Sequence, residues 1–247
     1  MEIKIRPYSV ELCSPEELVR MHVQVSIGSK VSDGLIYKDP GFVSFLKKQV
    51  LDSPDEHIFL LLNDRHPIGF CRLRLINDAL HLNNIYIKDE FQGQGFGKVF
   101  LYKSINESLK RKPVNHLSLD VFLSNAAAYN WYLKIGMEVI KSSFWYSVVA
   151  SGGSESAVNA DVEYSHDSNG FMAVYHNQTR IGSLLNGNLI LTSPDAIRFF
   201  DLDMLKGAFL KYNQKLENQK DYSFNQLEIS VTMRGEMHKV LNALKQQ

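Results

Sequence analysis

The sequence predicts an α/β protein: a central, mostly antiparallel mixed sheet flanked by helices, followed by a second, small α+β unit. Three observations carry this. Segments 57–62, 68–76 and 79–87 are apolar runs joined by the turns Asn63-Asp64-Arg65-His66 and Asn77-Asp78, the pattern of an antiparallel meander. Leu117, Leu119, Val121 and Leu123 stand at every second position, the mark of a half-buried strand, with helix-period segments on either side. The small-residue run Ala150-Ser151-Gly152-Gly153-Ser154-Glu155-Ser156 reads as a linker, so the expected division is 1–149, a linker at 150–157, and 158–247.

Taken in order, Ile3 and Ile5 alternate with Lys4 and Arg6 in a short first strand. Ser14-Pro15-Glu16-Glu17 starts a helix, with a serine cap, proline at the first position and acids in the first turn. Leu18, Met21 and Val25 are its expected inward face. Gly28, Gly34, Pro40 and Gly41 break 27–41 into a loop, and 42–51 forms a second helix. After the meander, Leu101, Ile105 and Leu109 recur at i, i+4 and i+8 in a helix that stops near Pro113. A short helix over 125–135 ends at Gly136, and 139–149 is a strand. Beyond the linker, 171–176, 181–185 and 189–192 read as short strands, the last two joined by the hairpin turn Asn186-Gly187. Ser193-Pro194-Asp195 starts an expected helix through Leu205 and Leu216, followed by a strand at 227–233 and a helix from Gly235. The stretch 158–164 has a second reading, as a strand completing the first sheet.

The 247 residues are 45% hydrophobic and 22% charged with zero formal net charge, ordinary for a globular protein and a poor match to broad nucleic-acid or anionic-membrane binding. No apolar run reaches the ~18 residues of a membrane span, and Met-Glu-Ile-Lys-Ile-Arg lacks a signal-peptide core. Cys13 and Cys71 form no C-x-x-C pair, and the eight histidines show no metal-ligand spacing, so no metal is expected. A cytoplasmic protein is the expectation.

Between the meander and the third helix lies Gln92-Gly93-Gln94-Gly95-Phe96-Gly97, followed by Lys98. Glycines without a Cβ let the backbone approach a ligand closely, and the unpaired amides of a helix start face an anion such as a phosphate. The spacing is neither the dinucleotide G-x-G-x-x-G nor a P-loop, which needs Ser or Thr where Val99 stands. It is Q-x-x-G-x-G after a strand. Downstream, Asn125, Ala128, Tyr132 and Gly136 stand in N-x-x-A-x-x-x-Y-x-x-x-G. With the element order β-α-α-β-β-β-α-β-α-β, these two motifs make 1–149 resemble the GNAT superfamily of N-acetyltransferases. Met137 replaces the usual Phe, and the C-terminal part is not covered.

The resemblance implies acetyl-coenzyme A as co-substrate, lying where the fourth and fifth strands part. It implies that Ile85 and Ile87 supply backbone groups to the pantetheine arm, with Tyr86 between them also in the cofactor set, and that Gln92, Gly93, Gln94, Gly95, Phe96 and Gly97 hold the pyrophosphate. Lys98 either contacts a phosphate or is solvated. Asn125 and Ala128 join the cofactor set, although Asn125 also suits a helix cap. Tyr132 takes the family's general-acid position, whereas periodicity alone reads it as a packed aromatic. Where many members carry a glutamate before the glycine loop, this chain has Asn83-Asn84. His81, Asn83 through a water, or no protein base at all are the alternatives. The implied reaction is direct acetyl transfer to a primary amine, on a small molecule or a protein. The alternative is a catalytically silent acyl-coenzyme A sensor or scaffold. A homodimer is compatible with the sequence, and the acceptor side is expected within 27–45.

Overall fold

The computed structural model describes residues 3–151 and 161–246; the expected linker at 152–157 and the start of the 158–164 reading lie outside them. The chain forms two compact units, and neither follows a single cut near residue 150. The first comprises 1–25, 46–141 and 231–247, the second 26–45 and 142–230. The expected boundaries are therefore corrected at both ends. The last 17 residues belong with the first unit, and 26–45 with the second.

In the first unit the strands run in the order β1 (Ile3–Pro7), β2 (Glu56–Asn63), β3 (His66–Ile76), β4 (Ala79–Ile87), β5 (His116–Phe122) and residues 231–236 of a long strand, β12 (Tyr222–Glu236). β1 to β4 are antiparallel and β4–β5 is parallel. Helix α1 (Pro15–Ser26) is capped as read: the Ser14 hydroxyl accepts from the Glu17 amide at 3.1 Å. It covers one sheet face, with the His22 ring tilted against Phe70 at a centroid distance of 4.3 Å. The expected second helix divides: Phe42–Phe45, in the second unit, is a single α-turn, α2, and Leu46–Leu51, in the first, is a π-helical turn. Helix α3 (Phe96–Arg111) covers the opposite face, where Phe100, Leu101 and Ile105 are buried and Ser104 lies beside Cys71. Helix α5 (Met237–Gln246) packs against α3 and β5.

The inward face of α1 differs from expectation at one position. Leu18 and Met21 are buried, but Val25 in the last turn is 38% exposed, and His22 takes the core position four residues after Leu18. Its Nδ1 donates to the Leu18 carbonyl at 2.8 Å, and burial pushes its pKa down to about 3, with that bond opposing. A depressed folded-state pKa means the neutral ring's contribution is complete above the unfolded value of about 6.5. It is lost as the pH falls from there toward about 3. Wild type is therefore expected to lose more stability in urea titrations between pH 7 and pH 4.5 than His22→Leu. Burial lowers His57 and His81 too, so the variant keeps some slope.

The second unit orders residues 222–230 of β12, β6 (Glu138–Ala150, its part beyond 141), β11 (Gly207–Tyr212), β10 (Asn188–Leu191), β9 (Thr179–Leu185), β8 (Met172–His176) and β7 (Val162–His166). Asn186 and Gly187 both have positive φ, as the expected hairpin turn requires. One expectation fails here. Residues 194–216 are not one helix but two 3₁₀ turns, Pro194–Phe199 and Leu202–Met204, followed by β11. The Ala208-Phe209-Leu210 run pairs with β10 on one side and β6 on the other, and the buried Leu210 joins the core with Tyr146, Val174 and Leu189. That pairing outcompetes a weak helical period. Strand β7 pairs with β8, so 162–166 belongs with the strands of the second unit, and the alternative reading of 158–164 is set aside for the residues described.

Candidate active site

Strands β4 and β5 are in register only from Ala79↔His116 to Leu82↔Leu119. Immediately after Leu82 the β3–β4 ladder shifts: Leu73 pairs with Leu82 but Arg72 pairs with Asn84, which leaves Asn83 as an extra residue. Such a bulge bends its strand and ends regular pairing. Beyond it, the Lys88 amide donates to the Ile68 carbonyl at 2.8 Å. Because an antiparallel ladder alternates, Tyr86 also turns its main chain toward β3, while Ile85 and Ile87 turn theirs toward the gap. The main chain available on the gap side therefore belongs to Ile85 and Ile87, with Tyr86 paired to Phe70 of β3.

The strand ends in the glycine loop. Gly93 and Gly95 have φ of +72° and +80°, and a Cβ built at either meets nothing within 4 Å. Gly95 caps α3, so the Phe96, Gly97 and Lys98 amides in the first turn have no intrahelical acceptor. Together with the dipole they make an anion cradle. The side-chain nitrogens of the loop's two glutamines are used locally. Gln92 Nε2 donates to the Ile87 carbonyl at 2.7 Å and to Asp89 Oδ1 at 2.9 Å, and Gln94 Nε2 to the Glu90 carbonyl at 3.1 Å. Lys98 is half-buried in the first turn.

Helix α4 (Ala126–Lys134) follows β5, and Asn125 Oδ1 caps it by accepting from the Ala128 amide at 3.2 Å. Asn125 thus leaves its Nδ2 for any ligand. Tyr132 is buried, 6% exposed, beside Cys71 of β3. Burial, and then the Cys71 sulfur, push its phenol well above the ordinary value, so it holds its proton throughout the neutral range.

His81 opposes Ser118 in the last paired stretch of β4–β5, and its Nδ1 lies 3.0 Å from the Ser118 hydroxyl. Burial lowers its pKa and keeps the ring neutral at pH 7, with Asp120 the strongest opposing influence. The Asn83 Nδ2 at the bulge is buried without a partner among the described residues. Sequence reasoning missed Asp120, one residue beyond the last β4–β5 pair, whose Oδ1 accepts from the Thr232 hydroxyl at 2.5 Å. By strand alternation it shares a face with Ser118 and His81. Its position between Leu119 and Val121 was the available signal, but an acid there reads as a solvated strand face. Also missed was the buried pair on β2 and β3, in which Arg72 Nε and Nη2 donate to Glu56 Oε2 and Oε1 at 2.9 and 2.8 Å.

A parted strand pair, a glycine cradle at its end and a tyrosine on the following helix occur here in one ordered segment. Residues 33–137 match the model of the acetyltransferase (GNAT) family. That stretch is a GNAT acetyltransferase domain. A Haemophilus influenzae protein named ribosomal protein bS18-alanine N-acetyltransferase is 40% identical over 98 residues, 40% of this chain and 66% of its own length. A Bacillus subtilis protein provisionally given the same name is 36% identical over 90 residues, 36% of this chain and 59% of its own length. The chain thus spans less than two thirds of the length of the relatives it matches. A Pyrococcus horikoshii structure, provisionally described as an acetyltransferase, aligns with 95% of this chain and 89% of its own at 14% identity and a TM-score of 0.59, a likeness of fold alone.

Proposed function

We propose that the GNAT domain transfers the acetyl group of acetyl-coenzyme A to a primary amine of a protein. The observation that carries this reading is the gap between β4 and β5, toward which Ile85 turns its main chain and Ile87 its amide, and which runs into the cradle at 93–98. An extended amide-bearing arm suits the first, a diphosphate the second. When bound, the coenzyme supplies the thioester. Tyr132 keeps a proton at its hydroxyl for the departing thiolate. His81, neutral and steadied by Ser118, lies with Asp120 on the polar face that receives the amine's proton, and Asn83 at the bulge holds a buried amide donor. Direct attack leaves the buried thiols of Cys13 and Cys71 without a chemical role. A cytoplasmic setting belongs to this proposal.

The names of the relatives favour an N-terminal alanine amine over a free small molecule. The test is thiol release by the full chain with acetyl-coenzyme A and three acceptor sets: peptides beginning with alanine, the same peptides blocked at the N-terminus but containing lysine, and small amines. Turnover restricted to the first set, with a mass gain of one acetyl at the terminus, is expected. Coenzyme binding without turnover of any acceptor would overturn the enzymatic reading in favour of an acyl-coenzyme A sensor.

A further inference from the structure

We infer that Gln92 is a positioning residue that latches the glycine cradle to the end of β4, and that its side chain serves the coenzyme only through the loop it holds. This rests on the cradle being the coenzyme site. Gln92 grips its surroundings three ways. Its amide donates to the Asp89 carbonyl at 3.1 Å, and its Nε2 donates both to Asp89 Oδ1 and to the Ile87 carbonyl. The short 3₁₀ turn Asp89–Phe91 between strand and cradle is thereby closed from both ends, with the Phe91 amide on the Lys88 carbonyl at 2.8 Å.

The glycines of the cradle have little of their own to hold them. Gly93 and Gly95 adopt left-handed backbone with open space around them, and glycine loses more conformational freedom on ordering than any other residue. Cradle amides gain affinity for an anion only if they already converge before it arrives, since ordering them on binding costs affinity. The latch also assigns the strand's groups. The Ile87 carbonyl that faces the gap is already occupied by Gln92, which leaves the Ile87 amide, while Ile85 offers both its carbonyl and its amide.

Three variants of the full chain separate this from a role in folding alone. Gln92→Ala removes both side-chain bonds. Gln92→Glu keeps the shape but sets a carboxylate against the Ile87 carbonyl and the Asp89 carboxylate. Gln92→Arg keeps donors in reach of both acceptors. Calorimetry with coenzyme A is expected to show affinity lowered about 10-fold in Gln92→Ala, further in Gln92→Glu, and largely restored in Gln92→Arg. In turnover, KM for acetyl-coenzyme A should rise while kcat at saturation and the acceptor KM stay within about two-fold. Unchanged coenzyme affinity in Gln92→Ala, or Gln92→Glu binding as well as Gln92→Ala, would overturn the latch. So would a fall in kcat with no change in KM. Failure of wild type to bind coenzyme A would instead sink the site assignment itself.

Discussion

Tyr132→Phe is expected to lower kcat by about 10²- to 10⁴-fold, the usual contribution of a positioned acid, while coenzyme affinity stays near wild type. The substitution keeps the buried ring and its packing beside Cys71 and removes only the proton donor. Thiol release at saturating substrates, paired with calorimetry on coenzyme A, measures the two quantities separately. The pH profile has a defined sign. Burial raises the phenol's pKa above its ordinary value of about 10, so the donor is complete below that value and is lost only as pH rises through the higher folded one. Wild type should therefore show no descending limb from this group between pH 7 and 9. A variant retaining more than a tenth of wild-type kcat would return Tyr132 to the status of a core aromatic.

The largest effect on stability is expected from Glu56→Gln. Glu56 and Arg72 have side chains only 3% and 8% exposed, joined by two parallel hydrogen bonds, and Arg74 Nε lies 3.6 Å from the same carboxylate. Neutralising the acid leaves a buried guanidinium without its counter-charge, which costs about 3–5 kcal/mol. For a chain of this size that lowers Tm by roughly 10 °C. Adding Arg72→Met should recover most of the loss, because removing both charges abolishes the unpaired one. Urea melts of the single and double variants test this. A double variant no more stable than Glu56→Gln would mean that the loss arises from packing and not from the stranded charge. Arg72 also opposes Asn84, directly after the bulge in β4.

The most legible parts of the sequence were those in which a residue's own chemistry sets its backbone. Ser14 announces the start of α1 by offering a hydroxyl to an amide three residues on, and Asn125 does the same for α4. Gly93, Gly95 and the Asn186-Gly187 turn declare positive φ because few other residues tolerate it. The glycine loop and the 125–136 helix were therefore readable in place, and with them the family. The parting of β4 and β5 was not. Its cause is one extra residue at Asn83 against β3, a register between segments that no local preference fixes.

The same divide explains the rest. Unaided, the sequence determined the meander, the capped helices and the glycine cradle, because each depends on residues within a few positions of one another. Only the tertiary structure decided that 207–212 is a strand, that 26–45 and 231–247 belong to the units they join, and that Asp120 stands near His81 with Thr232 bound to it across 112 positions of chain. Those outcomes depend on which distant segment offers hydrogen bonds and apolar surface to a stretch whose own preference is weak, and that competition is settled by packing.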